Sequence, residues 1–368
     1  MIVGEAAEQG AVAERLSAFV ARACKDPVFR RALRYRPADA LAQFDLASDG
    51  APEMLPIRHY AISADFATDV LFGAASRVRN GPTESLPIEV REVAYGLKPM
   101  ALIHGAVEQV EALIPQAREL NLHVMLSPYE FSPEADETAG GYVNLACGKR
   151  PATARSGAWR GALVARDWRQ VQLGWLSLLF GWDTFLGTLL GYPPCCARAY
   201  AENWPVVAAE YRGEYGALLA ARADTNTGPA IVIQPSHRGM NVFARYFGVH
   251  VLEHFPCDFH CEATHRLAER MFAGLSELEP SSTAQLIHAL GLPILQVDGE
   301  GAFLFEQATW DAERAILEYE PSAIRPSNAS SALHQVLQDV DRLRIFEAGI
   351  HAGDRRLAGH LFVFPAIQ

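Results

Sequence analysis

Several familiar signatures are missing from the sequence. No segment carries the G-x-G-x-x-G or G-x-x-x-x-G-K pattern, so nucleotide binding by the common phosphate loops is not indicated. The first residues do not join a basic start to a continuous apolar stretch, which argues against a secretory signal and favours a cytoplasmic protein. Lysine and arginine number 32 against 43 aspartates and glutamates, a formal net charge of −11. Because duplex nucleic acid attracts a clustered basic face, this balance argues against nucleic acid as a partner.

Long apolar runs are also scarce. The most apolar stretch covers residues 171–190, and it contains Gln172, Asp183 and three glycines. A membrane span needs roughly 20 predominantly apolar residues with few or no charges. We therefore expect two buried helices joined near residue 182, in a soluble protein without a membrane partner.

The rest of the composition is typical of a globular protein, since half of the 368 residues are hydrophobic and a fifth are charged. A strand is expected at Ile88–Tyr95, a helix at 103–120, and a hairpin at 292–305. These patterns predict an α/β fold, with α+β as the alternative. Three regions are expected: a helical module at 1–50, an α/β subdomain at 57–166, and a mainly helical region at 167–368 that ends in an α/β segment.

The N-terminal module has a recognisable pattern of apolar residues. It contains Leu16-x-x-Phe19-Val20, then Asp26-Pro27-x-Phe29-Arg30-x-Ala32-Leu33, then Pro37-x-x-Ala40-Leu41-x-x-Phe44. Asp26 is expected to cap the second helix, with Pro27 in its first turn. The pattern over residues 11–46 resembles a helical module of leader peptides in ribosomal-peptide natural-product pathways and of peptide-binding domains. The resemblance implies a docking element for a peptide; an ordinary three-helix cap without a partner is the alternative.

Four of the six cysteines fall into two pairs, and we call them the four paired cysteines. They lie in the runs Gly191-Tyr192-Pro193-Pro194-Cys195-Cys196 and Pro256-Cys257-Asp258-Phe259-His260-Cys261. Each pair follows a proline at the expected start of a helix, where the backbone N–H groups and the helix dipole stabilise a thiolate. Cys257, Cys261 and His265 are spaced by four, so they would share one face of a helix that begins by Asp258.

The ligand types allow more than one centre. Four thiolates are the usual complement of an iron–sulfur cluster, so a [4Fe–4S] cluster on the four paired cysteines is the favoured interpretation. Zinc, held by a subset of them with His254 or His265, is the alternative metal, because Cys257 and Cys261 have the spacing of a zinc pair. Metal-free thiol chemistry also remains open, as does burial of these cysteines as small hydrophobic side chains.

The paired cysteines also carry a second resemblance. The motifs Gly191-Tyr192-Pro193-x-Cys195-Cys196, Arg245-Tyr246-Phe247-Gly248 and Pro256-Cys257-x-x-x-Cys261 resemble those of an uncharacterised prokaryotic family over residues 160–275. That resemblance implies no particular activity. Cys24 and Cys147 fall outside the motifs and are expected to be ordinary buried thiols.

Four further residues are candidates for catalysis near the cysteines. His254 lies three residues before Cys257, and Arg238 and Asn241 lie upstream on the same segment. Asp183 lies in an apolar neighbourhood, where a carboxylate must be paired or have a shifted pKa; capping of a helix is the alternative role. The favoured function is therefore an iron–sulfur enzyme that acts on a peptide or small molecule by Lewis-acid or redox chemistry. A non-catalytic, zinc-stabilised binding protein is the alternative.

Overall fold

The computed structural model describes residues 86–133, 146–151, 159–180, 183–211, 213–223, 232–297, 300–327, 331–346 and 349–364, with Ala18, Arg22, Asp26, Val28, Phe29 and Gln43 nearer the N-terminus. Helices and strands both occur in these ranges, so the predicted α/β fold is confirmed as a mixed α/β protein. The described residues belong to two compact units. The first unit includes Val93–Pro133 and Ala146–Gly191, and the second includes Ile62–Glu92 and Tyr192–Gln368. The three regions expected from the sequence stay predictions.

Most of the predicted N-terminal module lies outside the described residues. Within it, the Asp26 carboxylate accepts hydrogen bonds from the backbone N–H groups of Val28 and Phe29, at 2.9 and 3.0 Å. This is the geometry of a helix N-cap, as the Asp26-Pro27 pair predicts. The docking role of the module stays a prediction.

Helix α1 spans Ile88–Tyr95, where the sequence analysis expected a strand, so that prediction is wrong. The reason lies in distant partners. Glu89 contacts His250 at 2.6 Å and Arg91 pairs with Glu279, so both polar side chains are buried. Polar and apolar residues alternate here, as in a strand with one solvent-exposed face. Residues 88–93 are nevertheless all buried, so the alternation does not mark such a strand.

The first unit contains a four-stranded antiparallel sheet in the order β1-β4-β2-β3. Its elements are β1 (Met100–Ala106), α2 (Val107–Glu119), β2 (His123–Pro133), β3 (Ala146–Pro151), β4 (Trp159–Ala165), α3 (Trp168–Phe180) and α4 (Asp183–Leu189). Strands β1 and β2 both pair antiparallel with β4, so they run parallel with β4 between them. A strand–helix–strand order is present as expected, but its first strand is β1. Helices α3 and α4 are the two helices predicted from the apolar stretch.

The helices of the second unit carry the candidate site. They are α5 (Pro194–Glu210), α6 (Tyr215–Arg222), α7 (Glu262–Leu278), α8 (Pro280–Leu290) and α9 (Ala332–Gln338), with short 3-10 helices at Arg238–Met240, Ala244–Phe247 and Pro321–Ala323. Helix α5 begins at Pro194 because proline at a first helical position loses no intrahelical hydrogen bond. The carbonyl oxygen of Pro193 then accepts the N–H groups of Cys196 and Ala197.

Two five-stranded sheets also lie in the second unit. Their orders are β10-β7-β6-β14-β5 and β13-β12-β11-β9-β8. The strands are β5 (Val232–Ile233), β6 (Ile294–Val297), β7 (Gly301–Phe305), β8 (Ala308–Asp311), β9 (Ile316–Tyr319), β10 (Ile324–Pro326), β11 (Arg342–Phe346), β12 (Gly349–Ala352), β13 (Arg355–Leu357) and β14 (Gly359–Phe362). Strands β6 and β7 form the predicted hairpin. Buried residues of both sheets, including Leu295, Phe303 and Leu343, form one hydrophobic core.

Among the described residues, none of the helices combines the length and the apolar character needed to cross a membrane.

Candidate metal centre

The four paired cysteines converge on one point of the second unit. Their sulfur atoms all lie within 4.8 Å of one another, although the two pairs are separated by about 60 residues of chain. The Sγ atom of Cys196 lies 3.6 Å from that of Cys261, and Cys195 Sγ lies 3.8 Å from each of these two sulfurs. Among the described residues this is the group of ligand atoms that could hold a metal ion. The convergence predicted from the sequence is therefore present.

The first pair lies in the first turn of α5. Cys195 and Cys196 follow the N-terminal Pro194, so both sulfurs lie near the positive end of the helix dipole, as expected. The two side chains differ in exposure: Cys195 is exposed, whereas Cys196 is 1% exposed. One sulfur of this pair therefore faces solvent while its neighbour faces the protein.

The second pair is placed differently from the prediction. Helix α7 begins at Glu262, so Cys257 lies in the preceding loop and Cys261 is the residue that caps the helix. The Asp258 side chain accepts the His260 N–H at 2.6 Å, and the Asp258 carbonyl oxygen accepts the Cys261 N–H. These bonds close a turn that keeps the helix from starting by Asp258. The two cysteines meet through this turn, and not through a shared helical face.

Two polar groups contact the buried sulfur of Cys196, and a third supports one of them. The backbone N–H of Cys257 donates to Cys196 Sγ at 3.3 Å, and the Thr264 hydroxyl lies 3.1 Å from the same sulfur. The Thr264 oxygen also lies 3.1 Å from Nε2 of His254. A metal-bound thiolate can only accept; with an ion bound at Cys196, the Thr264 hydroxyl would donate to the sulfur and the His254 Nε2–H would donate to the hydroxyl oxygen.

His254 itself is held in place by a neighbouring pair. The Tyr192 ring packs 5.0 Å from the His254 ring, and the Tyr192 hydroxyl donates to the Glu253 carboxylate at 2.9 Å. Burial, and then the charge of Glu253, raise the pKa of Tyr192, which therefore keeps the proton it donates. The imidazole that supports Thr264 thus has a fixed orientation.

Burial and the neighbouring sulfurs shift the pKa values of the thiols. Burial, reinforced by the neighbouring cysteines, raises the pKa of Cys196 well above its usual range and that of Cys257 to about 12, so these two thiols do not show the thiolate stabilisation expected from the sequence. Burial also raises the pKa of Cys261, but hydrogen bonds with Thr264 and with the Cys257 and Cys196 thiols together outweigh burial and lower this pKa to about 7. Four thiolates this close repel one another, and a bound cation would remove that repulsion.

Arg245 fixes the loop that leads to Cys257. Its guanidinium donates to the carbonyl oxygens of Leu252 and His254, at 3.2 and 3.4 Å, and lies 4.4 Å from the centre of the Phe255 ring. The side chain is buried. One arginine therefore satisfies two loop carbonyls just before the second cysteine pair.

Among the described residues, His265 does not belong to the group of ligand atoms that could hold a metal ion. His265 packs against His237, with ring centroids 4.8 Å apart, and its Nε2 atom lies 3.5 Å from Glu269. Asn241 is buried and donates to the Leu290 carbonyl oxygen at 2.9 Å. These contacts are those of side chains that join neighbouring segments.

Arg238 and Asp183 are the remaining predicted catalytic residues. The Arg238 guanidinium packs against Gly291, where a β-carbon would come within 2.6 Å of it. Asp183 is the first residue of α4 and belongs to the first unit, whereas the four paired cysteines belong to the second. Their proposed catalytic roles stay predictions. Thr264 is the supporting residue that the sequence analysis missed; its only signal is its position three residues after Cys261.

Comparison with protein-family models, curated proteins and solved structures finds no match for this chain. The cysteine site therefore provides the evidence for function.

Proposed function

We propose that the protein is a zinc-stabilised metalloprotein in which one ion is bound by Cys195, Cys196, Cys257 and Cys261. The observation that carries the proposal is the separation of the sulfurs, 3.6–3.8 Å for the three measured pairs. A tetrahedral ion with metal–sulfur bonds of about 2.3 Å holds its sulfurs about 3.8 Å apart. The site thus has the dimensions of a single tetrahedral ion.

This spacing favours zinc over the [4Fe–4S] cluster preferred from the sequence. In a four-iron cluster each cysteine binds a different iron atom, so the thiolates spread around the whole cluster. The four sulfurs lie within 4.8 Å of one another, which is closer than thiolates spread around a four-iron cluster. A single iron would fit the same geometry as zinc, and metal analysis separates the two.

Four thiolates also favour a structural role for the ion. A tetrahedral zinc bound by four cysteines has no open position, whereas catalytic zinc keeps one for water or substrate. The ion would join the start of α5 to the turn that precedes α7, and so would replace part of a hydrophobic core. The chain would then be a binding protein stabilised by its metal.

An iron–sulfur enzyme acting on a peptide or small molecule is the second candidate. The exposed side chain of Cys195 supports it, because redox or Lewis-acid chemistry requires that a substrate reach the centre. In this case one face of the cluster would be reached from solvent beside Cys195.

Metal and sulfide analysis of anaerobically purified protein tests both candidates. We expect about one zinc ion per chain, no acid-labile sulfide and no broad absorption near 400 nm. Cys261→Ser should lose most of the metal, and the matched variant Cys147→Ser should keep it. Several irons with equal sulfide would overturn the zinc proposal in favour of the second candidate; a wild-type protein that takes up neither metal would overturn both.

A further inference from the structure

The four sulfurs of the centre differ in their surroundings. Cys196 and Cys261 are 1% and 7% exposed, Cys257 is half-buried, and Cys195 is exposed. A reagent in solution therefore reaches Cys195 first. Access is one of the two properties that decide which thiolate reacts.

Hydrogen bonding is the second property, and it favours the same residue. Cys196 Sγ accepts the N–H of Cys257 and, as a metal-bound thiolate, would also accept the hydroxyl of Thr264. Among the described residues, Cys195 Sγ contacts the sulfurs of Cys196 and Cys261, neither of which offers an N–H or O–H group. A hydrogen bond draws charge from a thiolate and lowers its energy, so Cys195 keeps more electron density for attack than Cys196 does.

We infer that Cys195 is a modification site of the metal centre, at which a metal-bound thiolate reacts with soft alkylating electrophiles. This inference rests on the proposed metal site. In the reaction, Cys195 Sγ attacks a carbon atom that carries a leaving group. The S–C bond forms while the bond to the leaving group breaks, and the leaving group departs with that electron pair. No oxidant or reductant is required.

The product would change the coordination of the ion. A thioether is neutral and binds a cation more weakly than a thiolate does. Alkylation of Cys195 would therefore leave three thiolates and one weak or vacant position. The modification converts a closed structural site into an open one of the kind that binds water or substrate.

The experiment uses the metal-loaded full chain with Cys24→Ser and Cys147→Ser, so that only the four paired cysteines can react. A substoichiometric amount of iodoacetamide is added, and the modified residue is identified by fragmentation mass spectrometry, with metal content measured on the same sample. Because the Cys195 sulfur accepts two hydrogen bonds fewer than the Cys196 sulfur, we expect Cys195 to be alkylated about tenfold faster than Cys196. Because Cys195 is exposed and Cys257 is half-buried, Cys195 should also be alkylated faster than Cys257.

The outcomes separate the two proposals. Alkylation first at Cys195 in protein that holds one metal ion supports the inference. Alkylation first at Cys257, or at equal rates across the four cysteines, overturns the inference while the metal centre stands. Protein that binds no metal overturns the proposed function, and the inference with it.

Discussion

Cys196 and Thr264 lie 68 positions apart in the chain, yet the sulfur of one and the hydroxyl oxygen of the other are 3.1 Å apart. The hydroxyl also contacts His254, so it joins a buried imidazole to a buried sulfur. Groups that bond to a metal ligand orient it and tune its affinity, and their loss typically costs 10–100-fold in metal binding. Thr264 is placed to act in this way on the proposed ion.

Replacing Thr264 with valine should weaken metal binding by about 10- to 100-fold. Valine keeps the shape of the side chain but removes the hydroxyl, so Cys196 loses a donor and His254 loses its acceptor. Competition with a chelator of known affinity measures the change. Thr264→Ser should restore most of the affinity, because it returns the hydroxyl.

A matched control distinguishes this role from general destabilisation. Thr283 is also a buried threonine at a helix start, and its hydroxyl donates to the Glu279 carbonyl oxygen at 2.7 Å. Thr283→Val should lower the free energy of unfolding without changing metal affinity. Equal metal affinity in Thr264→Val and the wild type would show that Thr264 does not support the centre.

The sequence contains enough information to predict the first half of the site. Two prolines before Cys195 set the start of α5, and this local signal does not depend on the rest of the fold. The second half depends on Asp258, whose side chain forms the turn before α7. Cys257, Cys261 and His265 are spaced by four whether the helix starts at Asp258 or at Glu262. The spacing alone therefore could not distinguish the two helix starts.

The fold shows the same division between local and distant causes. The β6–β7 hairpin could be predicted because apolar strands flank a short turn. Helix α1 could not, because Glu89 and Arg91 are buried by partners more than 150 residues away. Nothing within α1 indicates that its charged side chains will find those partners.

Removing the metal should destabilise the second unit. Cys196 and Cys261 are 65 positions apart, and an ion that bonds to both links two segments only in the folded state. A ligand present at about 1,000 times its Kd adds roughly 4 kcal/mol to the free energy of unfolding. Thermal unfolding with and without a chelator measures the difference, and added zinc should reverse it. Curves that coincide would mean that the fold does not depend on the ion.

Replacing Arg245 with methionine should loosen the loop before Cys257. The carbonyl oxygens of Leu252 and His254 would lose a buried charged donor, which costs about 2 to 3 kcal/mol of stability. Metal affinity should fall less than in a cysteine variant, because all four sulfurs remain. Arg245→Lys should recover only part of the loss, since an ammonium group does not match the two-carbonyl geometry. Wild-type stability in Arg245→Met would contradict the role assigned to this side chain.

His104 should make the stability of the protein depend on pH below neutrality. It lies in β1, and burial lowers its pKa from 6.5 to about 3. Above pH 6.5 the imidazole is neutral in both the folded and the unfolded chain, so its contribution is constant there. As the pH falls below 6.5, the unfolded chain binds a proton that the folded chain does not bind. The free energy of unfolding should then fall by about 1.4 kcal/mol per pH unit until the pH nears 3.

His104→Gln removes this one titrating group and keeps a polar side chain in β1. Denaturant unfolding at pH 7 and pH 5 gives the dependence for both proteins, and the wild type should lose about 2 kcal/mol more than the variant over that interval. The difference between the two pH values is the readout, because the substitution also changes packing beside Gly161, whose β-carbon position lies 3.1 Å from the His104 ring. Any packing cost is the same at both pH values and cancels. Equal losses in the two proteins would show that the histidine takes up its proton as readily in the fold as in the unfolded chain.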